Sequence, residues 1–330
     1  MQKKLIALAV AGLVAAPAMA QSNVTIYGVA DAYFGFGSDN NNDISAIHSG
    51  GLAGSRIGFK GSEDLGNGLK AVFTLEQGYA IDTGAASPTV GDSVFSRQAW
   101  VGLQGSFGTV SLGRQYAPGY FVADYDALVS SAISPQSKLS VLKGMTITPN
   151  TPARWDNSVK YTGSFDAVNV QAIYSMGNTE SAVTGVNDDN KYGLSAAYAN
   201  GPVKVGVIYH NVGYASKDQS EWLIGASYDF GMAKVAGSYQ AASNIGGTAN
   251  ADSKLWNLGV IVPVGGGNVH LAYAKRDDDG TRVDPFSYTL AYTYPFSKRT
   301  TAYAGYQKLD YDTVTRDDMD LFVVGVSHNF

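Results

Sequence analysis

The chain has 330 residues, no cysteine, 39 glycines and 21 tyrosines, and a formal net charge of −5. The missing cysteine excludes a disulfide framework and thiolate-bound metal or redox centres, and the acidic balance argues against nucleic acid as a general partner, because phosphate contacts need a basic face. The glycine and tyrosine excess departs from an average soluble domain and fits aromatic belts at a membrane–water boundary.

Residues 1–20 read as a separate object. Lys3 and Lys4 precede an apolar run from Leu5 to Ala16, and Ala18-Met19-Ala20 supplies a cleavage site, the pattern of a secretory signal peptide. The run is too short for a membrane anchor, and no later stretch is apolar over the length of a spanning helix. Cleavage after Ala20 removes both lysines and takes the formal charge from −5 to −7. The remaining chain, 21–330, is expected to be exported and to cross any membrane with strands.

From Val24 the residues alternate. Val24, Ile26, Gly28, Ala30, Ala32 and Phe34 share one face, and Thr25, Tyr27, Val29, Asp31 and Tyr33 the other, which is the period of a strand. Gly37–Gly50 is expected to be a polar loop. Ile57 and Phe59 then oppose Arg56, Gly58 and Lys60. An Asn-Gly turn at 67–68 leads into a return strand with Leu69, Ala71, Phe73 and Leu75 opposite Lys70, Val72, Thr74 and Glu76. Arg56, Lys60, Lys70 and Glu76 therefore share a polar face, with both lysines near the turn end.

Short turns recur at 64–68, 104–108, 163–167, 199–202, 229–232, 263–267 and 294–299. Longer polar loops fall between them, at 177–190, 213–220, 243–253, 276–284 and 310–318 among others. Short turns at one end and long loops at the other describe a transmembrane barrel. Seven turns and eight loops imply sixteen antiparallel strands. Ala117–Ala153 breaks the alternation, carrying Asp124, Asp126, a run that could be helical from Asp124 to Ser131, and several prolines. A structureless segment this long is usually functional; it is expected to fold into the barrel mouth and narrow it. The C-terminal strand places Phe322, Val324, Val326, His328 and Phe330 on one face.

The segments VTIYGVADA (24–32), SRIGFKGSEDLGNGLKAVFTLEQGY (55–79), FSRQAWVGLQGSFGTVSLGRQY (95–116), RWDNSVKY (154–161) and VGVSHNF (324–330) together make the mature chain resemble a general bacterial porin of the neisserial and burkholderial type. The resemblance implies a homotrimer of sixteen-stranded barrels in the Gram-negative outer membrane, surrounded by membrane lipid and lipopolysaccharide. It also implies a third loop folded into each pore, passive diffusion of small hydrophilic solutes and inorganic ions, and no cofactor. Phe330 stands where the family has the aromatic residue read by the barrel-assembly machinery.

Periodicity alone does not place Arg97, which shares parity with Ala99, Val101 and Leu103, or Arg114, which shares parity with Val110 and Leu112. The resemblance implies that Arg97 and Arg154 join Arg56 as a basic wall, with Arg114 a further candidate, and that Asp124 and Asp126 on the third loop face them. Helix capping is the plainer role for either acid. Three arginines against two acids leave a net positive constriction that favours anions. Much of the acid sits instead in loops, at Asp39, Asp43, Asp188, Asp189, Asp277–Asp279, Asp317 and Asp318.

Other classes fit less well. His48, His210, His270 and His328 sit in no motif with a nucleophile or acid, which leaves an enzyme without machinery. An adhesin or phage receptor would use the same barrel and its loops. A dedicated sugar or nucleotide channel would need more of an aromatic ladder than Tyr27 and Tyr33 provide.

Overall fold

Asparagines in left-handed conformation set several hairpins. Asn40 and Asn41 have φ of 52° and 60°, and Asn67 has 53°; positive φ matches the twist of paired strands across tight turns. The computed structural model describes residues 23–87, 93–128, 131–177, 189–280, 283–313 and 316–330. The leader at 1–20 and Asp188 lie outside the described residues.

The strands are β1 (Asn23–Asp39), β2 (Asn42–Ser49), β3 (Arg56–Gly66), β4 (Leu69–Gly78), β5 (Gln98–Gly105), β6 (Gly108–Tyr116), β7 (Arg154–Phe165), β8 (Val168–Ser175), β9 (Lys191–Asn200), β10 (Val203–Val212), β11 (Gln219–Asp229), β12 (Lys234–Ser243), β13 (Ser253–Val264), β14 (Gly267–Asp278), β15 (Phe286–Pro295), β16 (Thr300–Asp310) and β17 (Met319–Asn329). From β3 onward each strand pairs antiparallel with the next. All seven expected turns join consecutive strands.

The first expected loop is absent. Gly37–Gly50 is no loop: β1 continues to Asp39, turns at Asn40-Asn41 and returns as β2. Polar side chains hid a hairpin whose turn needs only two left-handed asparagines.

The ring closes where β17 meets one edge of β1, from Val29↔Asn329 to Asp39↔Met319. The other edge of β1 pairs with β3 in its first half and β2 in its second. Thus β2 and β3 share one position, and the barrel has sixteen. Between them, at 50–55, the ladder breaks. Buried Asp31 satisfies the exposed donors: Oδ1 accepts from Gly51 N at 2.8 Å, and Oδ2 from Leu52 N and Ala53 N at 3.0 Å each. Tyr303 Oη donates to the same carboxylate at 2.6 Å.

The two faces differ in chemistry. On β11, Gln219, Glu221, Leu223 and Ser227 are buried, whereas Trp222, Ile224 and Tyr228 are exposed. Across the apolar face runs an aromatic belt. Tyr174 faces Tyr192, Tyr209 faces Trp222, Tyr239 faces Trp256, Tyr273 faces Tyr288, and Phe322 faces both Tyr306 and Phe36. From β2 to β7 the belt stops. The corresponding positions hold Ile47, Ile57, Leu75, Ala99, Leu112 and Val159.

The described residues of the segment after β6 include two short elements. A 3-10 turn spans Pro118–Tyr125, and the helix α1 spans Pro135–Lys143. The helix expected at Asp124–Ser131 is displaced, because its start and stop signals lie further on. Ser134 Oγ caps Ser137 N at 3.1 Å, Pro135 opens the first turn, and Gly144 at φ 87° ends it.

This segment packs on the polar face of β8–β15. His210 Nε2 accepts from Gly119 N at 2.9 Å, so its Nδ1 carries the proton and donates to Thr146 Oγ1 at 3.0 Å. Glu221 accepts from Thr146 N at 2.6 Å and Ile147 N at 3.0 Å, braced by Gln219 and Gln240. His270 meets Ala127 O, Thr289 donates to Ile133 O, and Arg276 donates to Leu139 O. Leu128, Ile133, Leu139 and Met145 supply the apolar core with Leu255, Ala274 and Leu309 from the strands.

Removing the Glu221 carboxylate strands two buried amide donors, a loss of about 2–5 kcal/mol for the segment. Glu221→Ala is expected to expose 117–153 to limited proteolysis while the heat-modifiable gel mobility of the barrel persists. Protection equal to wild type would show that the carboxylate does not hold the segment.

Candidate functional site

Neighbouring strand ends bring one group of side chains to a common level. Arg56 opens β3, Arg97 directly precedes β5, and Arg154 opens β7. Glu76 lies near the end of β4 and Tyr116 closes β6. The register sets Arg56 opposite Gly78, Glu76 opposite Gln98, and Tyr116 opposite Arg154.

Glu76 is the hub. Its Oε1 accepts from Arg97 Nε and Tyr116 Oη, each at 2.6 Å. Its Oε2 accepts from Tyr27 Oη at 2.9 Å and lies 3.6 Å from Arg56 Nε. Arg97, only 4% exposed, also donates through Nη2 to Tyr116 at 2.9 Å and to Tyr120 at 3.1 Å. The rings of Tyr116 and Tyr120 stack at 3.7 Å and 4°. The Arg154 guanidinium lies 5.8 and 5.6 Å from their centroids, an attractive placement over a π face. Arg154 donates to Thr151 Oγ1 at 3.0 Å, while its buried Nε has no partner among the described residues. Stripping Glu76 from this set would leave buried Arg97 uncompensated, which costs about 3–5 kcal/mol in comparable pairs.

Arg56, Arg97 and Arg154 line one cavity of about 660 Å³, with Tyr120, Lys138 and Asn150 among its other walls and no carboxylate among the described residues that line it. Burial alone would raise the Tyr120 hydroxyl, but the guanidinium groups of Arg97 and Arg154 hold it below the usual phenol range. Burial lowers the Lys138 ammonium from its ordinary value.

Three expected members are elsewhere. Arg114 keeps the parity of Leu112 and lies on the apolar face, where it donates to Asp156 Oδ1 at 2.6 Å and to Ser96 O. A β-bulge near Asn157, at φ 48°, turns Asp156 outward to meet it. Asp124 instead approaches Lys204 of β10 at 4.0 Å. Asp126 is buried within its own segment, accepting from Leu128 N at 3.0 Å and from Ser134 Oγ, and burial raises its carboxyl above the ordinary value. Neither acid faces the arginines, because one found a lysine and the other a cap.

Lys60 and Lys70 share the face of Arg56 and Glu76, nearer the turn, with Lys60 over the Tyr27 ring at 5.2 Å. The Phe330 ring occupies the space a side chain on Gly28 would need, so that glycine serves the closure of the ring. Lys138, Tyr116 and Tyr120 were missed. Lys138 sits on an unanticipated helix, and an aromatic pair four residues apart across a strand end has no periodic signature.

The sequence matches the model of a family described as Gram-negative porin over residues 7–314. It is 35% identical over 315 residues to outer membrane porin protein 32 of Delftia acidovorans, covering 92% of this chain and 88% of that one. It is 30% identical over 341 residues to the major outer membrane protein P.IB of Neisseria gonorrhoeae, covering 92% of each. Among solved structures, an anion-selective porin from Comamonas acidovorans superposes with a TM-score of 0.80 at 28% identity, over 94% of this chain and all of that one.

The flanking guanidinium groups give Tyr120 a distinct titration. The difference in tyrosinate absorbance between wild type and Tyr120→Phe is expected to have its midpoint below the ordinary phenol value of about 10. A midpoint at or above that value would mean that the arginines do not set its ionisation.

Proposed function

The chain belongs to the Gram-negative porin family and is an outer-membrane porin, and from that premise we propose that its channel prefers anions, through a basic wall of Arg56, Arg97 and Arg154. The observation that carries this is the cavity lined by those arginines and Lys138, with no carboxylate among the described residues of its wall. Glu76 offsets part of their charge from behind, and Lys60 and Lys70 continue the basic track toward the turn end. In this reading 117–153 narrows the lumen from the opposite side, by packing on the polar face of β8–β15. Preorganised charge in a narrow, poorly screened space selects the opposite sign of ion. Small hydrophilic solutes and inorganic ions pass by diffusion, with no cofactor.

Assembly into a homotrimer is part of the proposal. The belt fails on β2–β7, and an Arg114–Asp156 pair occupies that apolar face beside exposed Leu112 and Val159. An ion pair is costly against hydrocarbon and tolerable against protein, so a second copy of this chain suits that surface. Elsewhere the belt meets membrane lipid. Beyond it the ion pairs Lys254–Asp279, Lys275–Asp277 and Lys308–Asp318 would meet the lipopolysaccharide layer. Residues 1–20 serve as the cleaved export signal, and Phe330 as the residue presented to the barrel-assembly machinery.

Two measurements test this. In a planar bilayer under a salt gradient, wild type is expected to give an anion-selective reversal potential. Arg56→Glu is expected to move the permeability ratio toward cations by about fivefold per unit charge, the factor carried by a Coulomb energy near 1 kcal/mol. An unchanged potential would remove Arg56 from the selecting wall. In mild detergent the wild-type mass is expected to be three copies, with Arg114→Glu, which opposes Asp156, releasing monomers. A folded wild type of single-copy mass would overturn the trimer.

A further inference from the structure

The cavity has a lining that a purely hydrophilic channel does not need. Helix α1 turns Leu139 toward the wall and leaves Val141 and Leu142 exposed at 44% and 45%. Both border the cavity of the three arginines, and Leu52 and Pro149 border it too. Single exposed apolar side chains are ordinary on a protein surface. Here the two exposed ones are neighbours and share one cavity with half-buried Leu52 and buried Pro149, an apolar lining of the kind binding surfaces present.

The two chemistries come from different elements. The arginines stand at the ends of β3, β5 and β7, whereas α1 packs against β13–β15. A solute between them meets guanidinium groups from the strand ends and, from α1, Val141 and Leu142 beside Lys138. Few precisely placed polar groups within an apolar lining are what small-molecule sites generally present.

We infer that, given the anion path proposed above, this cavity binds small monocarboxylates with an apolar body. The carboxylate lies among the guanidinium groups, which bind it by charge-assisted and bidentate hydrogen bonds. The hydrocarbon lies along Val141, Leu142 and Leu52 and releases the water those side chains hold. An inorganic anion gains only the first contact, and a polyhydroxylated acid loses hydration by making the second.

Hexanoate and gluconate separate these cases, being six-carbon monocarboxylates of equal charge. Their block of chloride current is measured with the full protein in planar bilayers. Hexanoate is expected to reach half-block at a concentration about tenfold lower, in line with burial of a short alkyl chain. Val141→Asn with Leu142→Asn is expected to abolish that difference and leave the potassium chloride reversal potential unchanged. Leu52→Asn, outside the helix, is expected to reduce it. Equal block by both acids in an anion-selective wild type would overturn the inference and spare the anion path. A hexanoate preference that survives both variants would also overturn it. A cation-selective wild type would overturn the path and this inference together.

Discussion

Every backbone donor and acceptor at membrane depth has to be paired within the protein, and this ring is built around that requirement. The long β1 strand bears most of it. One edge takes β17 and closes the circle; the other is shared by β2 and β3. The ladder breaks where those two meet, and Asp31 covers the break with a carboxylate that accepts three successive amides. A charged residue on the first strand is thus a substitute for missing backbone pairing. Ala132 N of the long segment reaches the same bend, donating to Gly51 O at 2.7 Å.

Alternation and turn chemistry made the barrel legible. The faces of β1, β3 and β4 follow the two-residue period as read, and on β10 the same period puts His210 on the polar face, opposite Val205 and Val207. Legibility failed where a single residue resets the pattern. A bulge at Asn157 turns Asp156 away from Ser158, and Arg97 lies one residue before β5 begins, so parity could not place it. The acids of the long segment were legible as acids but not as partners. Their roles depend on Lys204 and Ser134, which a one-dimensional reading has no reason to bring near. The Asn40-Asn41 hairpin was obscured by its polarity, which resembles that of a loop.

The arginine wall illustrates how like charges are kept together. Arg97 and Arg154 are both largely buried, yet neither stands alone. Glu76 supplies the counter-charge, while the stacked rings of Tyr116 and Tyr120 supply π faces and hydroxyl acceptors. The tyrosines also hold the guanidinium planes in fixed orientation, which a mobile counterion would not do. Charge density and rigidity come from the same contacts.

The long segment is fastened very unevenly. Wall residues on β10, β11, β12, β14 and β15 bind it through side chains, whereas the arginine side touches it through far fewer bonds. It therefore travels with one half of the cylinder. The clearance between α1 and the arginines is then governed by how far the barrel departs from a circle, and less by any flapping of the segment. A soft elastic mode that flattens the cylinder opens or narrows the gap directly. Lateral pressure in the surrounding bilayer, acting on that mode, gains mechanical access to a gap it never touches.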